Sequence, residues 1–319
     1  MWKKIVAAVG CGVLLWGGSP AMAAEQQNAM QVYKEAYMAN LDDERALYTS
    51  MDLFGPNYHW ELDAKGKVLR NNSMYLQGNL SWELTEKKTD ITSHENIPFY
   101  MENENSILTI YAQRAGSWGK LTLPGIPAEL ANVWRTGAVN FMDESLQAVK
   151  NVSIENETDK HQGLRIVMDA GKMIQISEKY LDDDGTVKLS EKEKQEHKAM
   201  MDNLAKALQG TDLTVDWVVN KADRKTVTIS TDLTPMIRAY ARNVINDMAA
   251  GKIKLSDDER EMMESLGYFS ELKFYMSYMG VNQNEKFTIP NDVRKSAVEL
   301  LNLTDIQKGV SEASQTGKK

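Results

Sequence analysis

Thiol chemistry is all but missing from this 319-residue chain, which has one cysteine, Cys11. No disulfide, cysteine-rich zinc site or catalytic thiol is therefore expected in its body. Histidine is nearly as scarce: His59, His94, His161 and His197 fall in separate segments, with no H-E-x-x-H or comparable spacing. There is no G-x-S-x-G elbow, no Walker loop and no Rossmann glycine set. The commonest routes to nucleophilic, phosphoryl-transfer and dinucleotide chemistry thus have no residues to carry them, so the chain is read as a non-enzyme needing no cofactor. Long apolar runs are absent too, because Ile5 to Trp16 falls short of the roughly 20 residues of a membrane span. Only 7 prolines interrupt the chain, which leaves room for long unbroken strands and helices.

Positive charge is also short, with 37 Lys and Arg against 45 Asp and Glu, a net −8. The opening Met1 to Ala23 reads as an export signal that is removed: Lys3 and Lys4, an apolar run, then Ala21-Met22-Ala23 in the small-x-small spacing of a cleavage site. Losing those two lysines takes −8 to −10, a surface that repels phosphate backbones, so nucleic acid is not an expected partner. "AVGC" partly matches a lipidation site at Cys11. It would leave only Ile5 to Gly10 as the apolar run and lacks the usual leucine, so a lipid-anchored form is not expected. The expected location is periplasmic or extracellular, and the expected state is a monomer.

Periodicity organises residues 24 to 304 as one domain, followed by a polar tail over 305 to 319. Met30, Tyr33, Tyr37 and Leu41 recur at helical spacing, predicting a first helix over about 28 to 41. The period then becomes two. In "MYLQGNLSWELT", Met74, Leu76, Leu80, Trp82 and Leu84 share one face, and polar residues take the other. Similar alternation from Ala46 to Leu123 predicts about six antiparallel strands, and a helix is expected from Ala128 to about Val149, completing the 24 to 150 half.

Residues 151 to 304 read as a repeated hairpin-helix-helix unit. "GTVKLSEKEK" (185 to 194) reappears as "GKIKLSDDER" (251 to 260), each with a capping box, Ser190 with Glu193 and Ser256 with Glu259. Asp169 and Asp232 stand at matching strand-to-helix junctions. "MGVNQNEKFTIP" (279 to 290) is expected as a last hairpin, with Pro290 ending its strand and Asn291 capping a helix that points Val293, Ala297, Leu300 and Leu301 inward. Helices inserted between hairpins of one sheet are expected on one face of it. The fold class is therefore α+β: a strongly curved antiparallel half-barrel with helices on its concave face.

Methionine is plentiful, 18 in all and 16 after residue 23. Unbranched and polarizable, it suits either a cavity for chains of varied shape or a plain helix-on-sheet core. Trp82 and Trp217 sit on apolar strand faces, and Trp118 sits in a turn as a rim candidate. "YLDDDGTVKLSE" partly matches a calcium loop at Asp182, Asp184 and Glu191, but Tyr180 stands where the first carboxylate belongs, so a solvated acidic turn is the preferred reading and no metal is expected.

The "LTIYAQRAGSWGKLTLPG" hairpin and the closing "FTIPNDV" resemble the LolA/LppX-type superfamily of bacterial envelope lipid and lipoprotein carriers, and more narrowly the LolA-like exported proteins of Firmicutes. The resemblance implies a half-barrel whose helix-lidded hollow holds acyl chains. The expected function is an exported protein that shelters a lipid or other hydrophobic ligand, lined by Trp82, Trp217, Met236, Ile237, Tyr240, Met262, Met263, Phe274 and Met276, with an envelope protein as a further partner. The paired helices depart from that family. A scaffold or protein-interaction module with a filled core stays open as the alternative.

Overall fold

Alternating apolar and polar residues carry through twelve strands into one continuous sheet. The computed structural model describes residues 24–40, 44–68, 73–86, 91–104, 107–124, 142–182, 198 and 201–299. The strands are β1 (Ala46–Gly55), β2 (Tyr58–Val68), β3 (Met74–Glu86), β4 (Ile91–Glu104), β5 (Ile107–Arg114), β6 (Ser117–Pro124), β7 (Val149–Glu157), β8 (His161–Asp169), β9 (Asp212–Asn220), β10 (Thr226–Asp232), β11 (Glu271–Ser277) and β12 (Val298–Glu299). Their order is β12-β6-β5-β4-β3-β2-β1-β11-β10-β9-β8-β7, antiparallel except for β12 beside β6. The sheet is open and curved, an α+β half-barrel as the patterning implies.

Among the described residues the helices are α1 (Ala24–Asn40), α2 (Ala170–Asp182), α3 (Thr234–Ala249), α4 (Asp257–Tyr268) and α5 (Asn291–Ser296), with a further helical stretch over 201–207. Local chemistry sets their starts. The Asp169 carboxylate accepts from Lys172 N at 3.0 Å, and the Asp232 carboxylate accepts from Thr234 N at 2.9 Å, each meeting a backbone donor that a helix N-terminus leaves unpaired. Ser256 and Glu259 form the expected reciprocal capping box at α4.

Pairing register places most apolar positions of the long strands on one face. Leu53, Trp60 and Trp82 lie side by side across β1, β2 and β3, and Met51, Leu62, Leu80 and Ile97 form the next row. One row further, the face narrows to Thr49, Ala64 and Gly78. There the strands approach so closely that a Cβ on Gly78 would lie 1.8 Å from the Asp63 carbonyl oxygen, and one on Gly66 would lie 1.9 Å from that of Tyr75. A side chain at either position would push β2 and β3 apart. Gly78→Ala is expected to cost about 2 kcal/mol, readable as a lower denaturation midpoint; an unchanged midpoint would mean that this close approach tolerates a methyl group.

The C-terminal half of that face is covered. A stripe on α1, Ala29, Val32, Tyr33, Ala36 and Tyr37, packs with Val152, Leu164, Ile166, Val215 and Trp217 of β7 to β9, all buried. Tyr33 is fully buried, and its hydroxyl finds no hydrogen-bond partner among the described residues. Burial, and secondarily Tyr37 beside it, push its ionisation well above the usual range. Since an unpaired buried hydroxyl opposes folding, Tyr33→Phe is expected to raise stability by about 1 kcal/mol. A loss in the same unfolding measurement would reveal a partner for that oxygen.

The end of the chain departs from expectation. Residues 278–290 contain no strand, because β11 is already paired on both edges, with β10 on one side and β1 on the other. The place that a terminal hairpin needed belongs to β1. At its start the Gln283 side chain accepts from Ala46 N at 2.7 Å and donates to Ala46 O at 3.0 Å, standing in for one rung of ladder. The chain then crosses to the polar outer face, where Ile289 and Val293 are buried with Tyr111 against Tyr100, Trp118 and Ala297. The helices therefore do not all share one face. Pro290, not Asn291, is the N-cap of α5, and no side chain caps it. The helix expected over Ala128 to Val149 lies mostly outside the described residues; 142–145 are helical, and Val149 opens β7.

Candidate functional site

Among the described residues the helical cover stops partway across the apolar face. α3 and α4 form its border, where Ala241, Val244, Met263 and Leu266 are buried and Leu53 and Tyr58 of the sheet pack against them. Tyr58 ties this border down, its hydroxyl bonded to that of Ser270. Beyond it no apolar side chain of β3 belongs to any buried cluster. Leu62, Leu76, Leu80, Ile97, Met101 and Ile110 are all half-buried.

At one end of the open region the exposure grows, with Trp60 at 44% and Leu84 at 50%. The Trp60 and Trp82 rings stack at 6.4 Å and 29°. The same end carries Tyr268, the last residue of α4, and Phe269 in the turn to β11, both exposed, whereas exposed Phe54 of β1 lies on the opposite face beside His59. Soluble proteins seldom leave a contiguous apolar surface bare, and one that persists is commonly a binding surface. Its chemistry here is the removal of apolar groups from water.

A polar pair closes the face at the Trp82 end. The Trp82 indole donates to one Glu95 oxygen at 3.2 Å, and Arg114 Nε donates to the other at 3.0 Å. The opposite face of β1 and β2 is acidic: the Glu61 carboxyl is raised above its usual range, chiefly by the neighbouring Asp63 charge, and His59 contacts Asp52 at 2.7 Å. Among the described residues no group of three or more histidines and carboxylates is placed to hold a metal ion. Asp182 ends α2, while Asp184 and Glu191 lie outside the described residues.

The nine expected lining residues separate by place. Trp217, Met236 and Met276 are in the main core, with Phe274 packed against its edge; Met263 is in the smaller core, with Ile237 and Met262 partly buried against it, and Tyr240 touches both. Trp82 alone stands on the open region. Trp118 lies on the outer face, 5.4 Å from Tyr100. Sequence reasoning passed over Trp60, Leu62, Leu80, Glu95 and Arg114. The alternation through 58 to 62 and 74 to 85 had already assigned the three apolar ones to one face, but nothing in it marks where the cover ends.

No family model and no curated protein matches the chain. Among solved structures, LprF from Mycobacterium bovis is similar over 86% of this chain and 99% of that one, at 12% identity and a TM-score of 0.38. A likeness at that level carries nothing about ligand or activity.

Proposed function

We propose that this protein is an exported carrier that shelters an acyl chain or comparable hydrophobic ligand on the open apolar face of β2 to β5. The observation that supports it is the uncovered continuation of a core-forming face, with Trp60 and Leu84 about half exposed beside a packed half. Each methylene moved from water onto such a face contributes about 0.8 kcal/mol, so a ten-carbon chain supplies roughly 8 kcal/mol before the cost of immobilising it. Binding of this kind needs no cofactor and no reaction. The export-signal pattern read in Met1 to Ala23 supports action outside the cytoplasm, and the family resemblance of the sequence points the same way.

Organic extraction of the purified protein, followed by mass spectrometry, is expected to recover acyl-bearing lipid, and a fluorescent fatty-acid probe is expected to bind. Leu62→Gln with Leu80→Gln should weaken probe binding by about tenfold or more, since each removes apolar contact from the centre of the face. An empty protein that takes up no probe overturns the carrier reading. It would favour instead the interaction module, which the solid packing around Trp217 and Met236 supports.

A further inference from the structure

Where the apolar face ends, its charge changes character. Glu95 and Arg114 are held side by side by the 3.0 Å bond through Nε, and among the described residues nothing engages the two Nη groups of Arg114, whose side chain is 69% exposed. Glu95 is fixed a second time by the Trp82 indole. Its carboxylate therefore sits next to the stacked Trp60 and Trp82 rings. Indole faces attract ammonium groups, and a neighbouring carboxylate strengthens that attraction. The free Nη edge of an arginine is shaped for a phosphate.

Resting on the carrier reading above, we propose that the ligand is a zwitterionic phospholipid, its phosphate against the Nη edge of Arg114, its ammonium between Glu95 and the Trp60–Trp82 pair, and its chain along Leu62 and Leu80. Charge complementarity selects this class. A purely anionic head meets the Glu95 carboxylate, and an uncharged head leaves the fixed pair unanswered. A zwitterion lies antiparallel to the pair and answers both charges.

The test displaces a fluorescent acyl probe from the full-length protein with three single-chain competitors of equal chain length, each below its micelle concentration: lysophosphatidylethanolamine, lysophosphatidylglycerol and monoacylglycerol. The zwitterion is expected to compete at least tenfold more tightly than the other two, a difference of about 1.4 kcal/mol. Arg114→Gln and Glu95→Gln should each bring it down to the level that monoacylglycerol shows in the same variant. Equal competition by all three, preference for the glycerol headgroup, or a uniform loss across all three in the variants overturns the headgroup assignment and leaves the apolar site standing. A probe that never binds brings down the carrier reading itself.

Discussion

Trp217→Ala is expected to cost about 4 kcal/mol and to lower the melting temperature by roughly 10 °C. The indole is 7% exposed, meets the Tyr33 ring edge-on at 5.7 Å and 82°, and donates to the Thr226 hydroxyl at 3.0 Å. That hydroxyl in turn donates to the Asn40 side chain at 2.8 Å, so the truncation removes core volume and also loosens the end of α1 from β10. Trp82→Ala offers the matched comparison. It removes the same side chain from the same face, but half-buried and stacked only on Trp60, and should cost about 1 kcal/mol while weakening ligand binding. Thermal unfolding and probe binding on the two variants read the division of the sheet directly. Equal destabilisation would mean that the face is covered throughout, and the open region would not exist.

The outer-face clasp carries the second large effect. Arg294 of α5 meets Glu102 of β4 with two parallel bonds, Nη1 to Oε1 at 2.7 Å and Nη2 to Oε2 at 2.5 Å. The partners differ in exposure: the Glu102 side chain is 7% exposed and that of Arg294 is 38%. Arg294→Ala strands a buried carboxylate without its counter-charge, which costs about 3 kcal/mol. Lysine supplies the charge but not the fork, so Arg294→Lys should fall between the two. Hydrogen exchange is expected to locate the damage, with protection lost first over residues 287 to 299 and then at the β6 edge that β12 pairs with. Uniform loss across the whole sheet, or a stability change below 1 kcal/mol, would show that α5 is not held by this pair.

Both sequence motifs behind the family resemblance end up in this clasp. Tyr111 and Trp118 come from the strand hairpin, Ile289 and Val293 from the closing segment, and they form one cluster on the outer face. The motifs therefore record how the chain fastens its own end across the sheet. Among the described residues the closing segment does not reach the open apolar face, whereas the hairpin also contributes Ile110 to it and ends its first strand at Arg114 beside Glu95.

Alternation along the strands determined by itself which residues share a face, because successive strand side chains point to opposite sides whatever lies above them. The capped start of α4 and the aspartates at the α2 and α3 junctions were legible for the same reason: their partners lie two or three residues away. The cover of the face was not. Trp82 and Trp217 sit in equally apolar alternating strands, yet one lies beside solvent and the other under α1, and that difference comes from helices more than a hundred residues distant. The closing "FTIP" shows the same limit. Its composition suits a strand, but β1, more than two hundred residues earlier, already occupies the edge it needed. Local pattern decides what a segment is able to form; competition for sheet edges and for apolar surface, which only the assembled chain resolves, decides what it does form.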